Sequence, residues 1–134
     1  MHASTVAVDG QAVVITGRAG AGKSALALQL MALGARLVAD DRTCLWREGE
    51  LIWADAPETI RNRIEARFVG ILSAEACGPA EARLWVDLDR DEAERLPQKK
   101  STTVLGLSRP LLHNARAQHF PAAILHYLKA GRRD

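Results

Sequence analysis

Residues Gly17, Arg18, Ala19, Gly20, Ala21, Gly22, Lys23 and Ser24 spell the phosphate-loop pattern G-x-x-x-x-G-K-[ST], directly after the apolar run Ala12 to Thr16. Glycines at 17, 20 and 22 let consecutive backbone N–H groups turn toward an anion that a Cβ would keep away. Lys23 is placed to offset charge on the outer phosphates, and Ser24 to offer its hydroxyl to a magnesium ion. The helix that opens there adds its own N–H groups and dipole. A bound nucleotide phosphate, with magnesium on the Ser24 hydroxyl, is the chemistry this spacing calls for.

A phosphate loop alone does not choose between kinase, NTPase and switch, so the carboxylates that surround the γ-phosphate matter. Asp40 and Asp41 end the apolar stretch Arg36 to Ala39. That strand is expected to lie beside the phosphate-loop strand, bringing both carboxylates to the edge where the phosphates sit. One can orient magnesium or its water while the other accepts a proton from an attacking hydroxyl. A solvent-exposed turn is the bland alternative for this pair. Glu65 and Arg67 fall on one face if Ile64 to Leu72 is extended around Gly70, a carboxylate and a guanidinium fit for a magnesium-phosphate site or for a plain cross-strand ion pair.

The elements that must hold these groups follow from periodicity and turn residues. Ser4 to Val8, the turn Asp9-Gly10 and Gln11 to Ile15 predict a hairpin. Ala25 to Leu33 is apolar nearly all round, so it predicts a helix buried against a sheet and stopped at Gly34. Cys44 to Arg47 and Leu51 to Trp53, joined by Glu48-Gly49-Glu50, predict a second hairpin, and Ala82 to Leu88 another strand broken by the charged run Asp89 to Arg95. A last helix is expected from Pro121 to a cap at Gly131. Strand, loop, helix and strand in this order begin a parallel α/β arrangement, and the hairpins make the sheet mixed. Trp46, Trp53 and Trp85 lie in strand patterns and are expected to pack the sheet.

Composition sets the outer bounds. At 134 residues, 48% hydrophobic and 25% charged, the chain fits a single nucleotide-binding domain spanning residues 1–134. A formal net charge of +2 does not call for nucleic acid or an anionic membrane. No stretch approaches the ~18 apolar residues that span a bilayer, and the first residues lack the pattern of a secretory signal. Cys44 and Cys77 stand far apart and outside metal-ligand spacing, so a cytoplasmic protein with two ordinary thiols is expected.

Four segments together carry a resemblance: His2 to Gly10, Val14 to Ser24, Gly34 to Arg42 and Ile64 to Leu72. They resemble the catalytic domain of bacterial HPr kinase/phosphorylase, in the short form that lacks the family's N-terminal domain. The match is firm from His2 to about Asp41, recognisable through Leu72 and thin afterwards; Leu-Val-Ala-Asp-Asp at this distance from the loop is its distinctive part. The resemblance implies an HPr kinase/PEP carboxykinase-like α/β phosphate-loop fold. It implies transfer of phosphate from ATP to a serine of HPr, a small phosphocarrier protein of the sugar phosphotransferase system.

By the same resemblance His2 aligns with the active-site histidine, Lys23 with the phosphate-loop lysine and Asp41 with the acid or base. Ser24 and Glu65 align with the magnesium ligands, Asp40 adjoins the base, and Arg95 stands where a later catalytic arginine is found. Relatives assemble as hexamers, which makes a homo-oligomer an expectation. Two departures stand out. Phe68 fills the first glycine of the family's Arg-Gly-x-Gly signature, a place where positive φ or close approach to phosphate is at stake. The Gly-Arg-Asn region tied to the reverse, phosphorolytic reaction is not recognisable in Leu105 to Arg116, so phosphorylase activity is not expected. The rival from another class is an ATP-binding regulatory protein with little or no phosphoryl transfer.

Overall fold

The computed structural model describes residues Met1–Asp134. Strand β1 (Ala3–Val8) turns at Asp9-Gly10 into β2 (Gln11–Thr16), pairing Ala3 with Thr16 and Val8 with Gln11 as the turn signal required. The phosphate loop leads into helix α1 (Lys23–Ala32), and β3 (Arg36–Ala39) follows. Next come β4 (Cys44–Glu48) and β5 (Leu51–Asp55), a single 3-10 turn (Glu58–Ile60), and β6 (Arg63–Ala66) paired with β7 (Gly70–Ser73). The chain closes with β8 (Ala80–Asp91), β9 (Lys100–Val104), β10 (Leu107–Asn114) and α2 (Phe120–Ala130).

The sheet runs β3-β1-β2-β8-β10-β9, with β5 added to the start of β8 and β4 to β5. Strands β2, β8 and β10 are mutually parallel and the other pairings are antiparallel, so the sheet is mixed as expected. One expectation fails: β3 does not neighbour the phosphate-loop strand β2, because β1 lies between them. The consequence for the site is small. Both β2 and β3 run antiparallel to β1, so their carboxyl ends, Thr16 and Ala39, still emerge at one edge of the sheet.

Alternation along the central strands decides which face carries the helices. Val13, Ile15, Leu84 and Val86 point to the side covered by Leu26 and Leu30 of α1 and Ile124 and Leu128 of α2. Ala12, Val14 and Trp85 point the other way, onto Val38, Ile52 and Leu107. Burying both faces explains why these strands read as continuous apolar runs. Pro121 at the start of α2 and Gly131 with φ 73° at its end fulfil the expected caps.

Three further expectations are corrected. Ile64 to Leu72 is not one extended segment: it turns at Arg67, Phe68 and Val69, so Arg67 leaves the strand face of Glu65. The run after Leu88 does not break the strand at once, since β8 continues to Asp91, where Asn114 pairs with it at the rim. Trp46 does not join the core but stands exposed on β4 opposite Trp53, whereas Trp85 is buried.

Both cysteines are free thiols. Burial pushes the Cys77 thiol above its ordinary pKa, partly countered by the nearby Arg36, while Cys44 is exposed. Iodoacetamide at pH 8 should therefore alkylate Cys44 well before Cys77, and equal rates by peptide mass mapping would contradict this.

Candidate functional site

The site forms where β2, β3 and the β6–β7 hairpin meet the amino end of α1. Gly22 caps that helix at φ 103° and ψ 21°, a left-handed geometry that suits glycine. Gly17 is held for space: a Cβ there would lie 3.0 Å from the Ala21 Cβ and 3.3 Å from the Leu88 Cβ. The N–H groups of Ala19, Gly20, Gly22, Lys23, Ser24 and Ala25 find no acceptor within the chain. Four of these, Gly22 to Ala25, are the donors every helix leaves unpaired at its start; the loop adds Ala19 and Gly20, and together they suit an anion.

Lys23 is largely buried and its ammonium donates to the carbonyls of Gly17 at 2.7 Å and Arg18 at 3.1 Å. It thus spans the loop from inside. The Arg18 N–H is taken by Asp89, whose two carboxylate oxygens accept it at 3.1 Å. Asp89 stands one residue past the apolar end of β8, and no motif marks it. Its position in β8, just past the stretch that pairs in parallel with β2, is the only signal that could have drawn attention to it.

The two aspartates part company. Asp40 is 7% exposed and its carboxylate is fully engaged. Oδ1 accepts the Ser24 hydroxyl at 2.7 Å and the Ser4 hydroxyl at 2.7 Å, and Oδ2 accepts the Glu65 backbone N–H at 2.9 Å. One carboxylate therefore ties the phosphate loop, β1 and β6 together. Asp41 is exposed. The Arg42 N–H donates to the Asp40 carbonyl at 2.8 Å across it, and its φ is 68°, so Asp41 is the central residue of a γ-turn of the rare, strained kind. The strain thus falls on one surface carboxylate next to the loop.

Neighbouring strands fix that turn. Ser4 Oγ accepts the Asp41 N–H at 3.3 Å, and the Ala3 N–H donates to the Asp41 carbonyl at 3.0 Å. His2 forms an antiparallel bridge with Arg42, and the Met1 ammonium reaches the Thr43 carbonyl at 3.2 Å. His2 is thereby held one bridge from Asp41 rather than hanging free. Arg95 is different: it is exposed in the connection between β8 and β9, and no hydrogen bond or ion pair ties it to the loop or the aspartates. Ser4 is not legible as a site residue in the sequence, whereas Arg67 is. Ser4 reads as an ordinary strand position, and Arg67 reaches the loop, its Nη2 lying 3.9 Å from where a Cβ of Gly20 would be.

The family model described as HPr Serine kinase C-terminal domain matches residues 1–82. The chain belongs to this family. An HPr kinase/phosphorylase of Azoarcus sp. is 37% identical over 124 residues, 82% of this chain and 40% of that protein. One from Chloroherpeton thalassium is 46% identical over 76 residues, 56% of this chain and 22% of that protein. Among solved structures, the Hpr(Ser) kinase/phosphatase from Coxiella burnetii superposes with a TM-score of 0.79 at 24% identity, covering 96% of this chain and 93% of that one. At that identity the likeness speaks for the fold. The chain spans between 22% and 40% of the length of these curated HPr kinase/phosphorylase relatives. No helix is long and apolar enough to cross a membrane.

Proposed function

We propose that the chain is an ATP-dependent protein kinase that phosphorylates a serine of HPr. The observation that carries this reading is the Ser24–Asp40–Ser4 array of hydrogen bonds, which fixes the Asp40-Asp41 turn against the phosphate loop. Family membership supplies the acceptor.

Phosphates of ATP would take the N–H groups of the loop and of the first turn of α1, and Lys23 would turn from the Gly17 and Arg18 carbonyls to the outer phosphates. The nucleoside would leave toward β8 and β10, where a cleft of about 240 Å3 is lined by Ala21, Gly22, Ala25 and Gln29 on one wall and by Asn114 and Gln118 on the other. In the transfer, the bond between the γ-phosphorus and the β–γ bridging oxygen breaks and a bond from the serine Oγ to that phosphorus forms. Asp41 takes the serine proton, and ADP departs. Most of the rate gain comes from positioning and fixed charge. His2, one bridge away, would hydrogen-bond the reacting phosphoryl group or the acceptor.

Magnesium fits the donors present. The Ser24 hydroxyl, held at the loop by Asp40 at 2.7 Å, is a hard oxygen, and a small cation that keeps most of its water needs only one or two protein oxygens beside the phosphates. Ser24 and Glu65 would hold the ion, which supplies charge neutralisation on the β- and γ-phosphates. Asp40, engaged with Ser24, would orient that ligand.

ADP release measured with Mg2+ and ATP should rise saturably as HPr is added. Release that ignores HPr, or tight ATP binding with no release, would turn the assignment toward a nucleotide-binding regulator.

A further inference from the structure

The apex of the β6–β7 hairpin breaks two rules at once. Phe68 is 99% exposed, with Val69 at 75% and Ile71 at 65%, the most exposed apolar cluster of the chain. The Val69 N–H donates to the Ala66 carbonyl at 2.9 Å, so Ala66 to Val69 form a turn, and Phe68 occupies its third position with φ 72°. A type II turn takes glycine or asparagine at that place. A bulky residue there is strained, and this one gains no packing in return. Nothing within the chain explains the choice.

The hairpin base, by contrast, is firmly placed. Ile64 is buried in the helix-side core, and the Glu65 N–H is bound to Asp40. The apex is therefore presented beside the site rather than waving over it, with Arg67 next to Gly20 of the loop.

We propose that Phe68, Val69 and Ile71 form the docking surface for the acceptor protein, which packs an apolar patch flanking its target serine against them. This rests on the kinase reading above. A specific protein interface buries about 800 Å2 on each partner, a disc with a radius of roughly 16 Å. A protein whose serine reaches a phosphate in the loop must therefore cover an apex whose own arginine lies beside that loop. A small-molecule acceptor would leave it bare. Aromatic side chains at the centre of such a contact contribute most of its free energy.

Phe68→Gly separates docking from folding because its two effects run in opposite directions. Removing the side chain from a left-handed position should raise the melting midpoint by about 2–4 °C. The KM for HPr should rise roughly tenfold or more, while kcat and the KM for ATP stay near wild type. Phe68→Leu, which keeps an apolar side chain, should hold the KM for HPr within about threefold of wild type. An unchanged KM for HPr in Phe68→Gly would overturn the proposal. So would loss of self-association in that variant with HPr kinetics intact, which would assign the apex to a second copy of the chain. If the wild-type chain transfers nothing to HPr, the kinase reading itself fails, an outcome distinct from a kinase indifferent to Phe68.

Discussion

Asp41→Asn should abolish most phosphoryl transfer and leave ATP binding almost untouched. Positioned proton acceptors contribute about 10²- to 10⁴-fold to rate, about 2.7–5.5 kcal/mol of barrier. The fold should not notice the change. Asparagine tolerates the left-handed backbone at least as well as aspartate, and the bonds that hold the γ-turn come from backbone groups and Ser4 rather than from the Asp41 carboxylate. An ATP affinity within about twofold of wild type, measured by calorimetry, together with the collapse of transfer, would place the defect after binding. A variant that transfers at more than about a tenth of the wild-type rate would remove Asp41 from the role of base.

Asp40→Ala should fail differently, by loosening the whole site. Its carboxylate accepts from Ser4, Ser24 and Glu65, and the first of these donors is fully buried. Leaving a buried hydroxyl and a part-buried amide without an acceptor costs about 1–3 kcal/mol each. A total near 3 kcal/mol is expected, with the melting midpoint down by about 10 °C. Asp40→Asn keeps an oxygen for the hydroxyls but turns an amide donor toward one of the three, so it should lie between. Transfer should fall in both variants because Ser24 loses its partner. A midpoint within about 2 °C of wild type for Asp40→Ala would show that the carboxylate does not bind the three elements together.

The difference between the two aspartates marks what the sequence could and could not reveal. The loop, the helix after it, both early hairpins and the terminal helix carry local signals: glycines at fixed places, Asp-Gly, Glu-Gly-Glu, an initial proline and a closing glycine. Which aspartate would be buried has no local signal. It follows from Ser4 on β1 meeting the end of β3, a pairing 36 residues apart in the chain.

Missing turn chemistry explains the other gaps. The β9–β10 hairpin turns at Leu105 and Gly106, with φ 51° and 82°, where a leucine stands in for the asparagine that announces such turns. Pro110 further disguises β10. At the β6–β7 apex the residue in the left-handed place is Phe68, so periodicity reads through it as strand. The comparison with the family pattern, which has glycine there, marks the position as one of positive φ, and the structure has it so.

The central claim is tested most directly by incubating the chain with Mg2+, γ-labelled ATP and HPr, then mapping the phosphate on HPr by mass spectrometry. Phosphate should appear on one serine of HPr and be absent when Asp41→Asn replaces the wild type. ATP bound tightly through the loop with HPr left unmodified would contradict it.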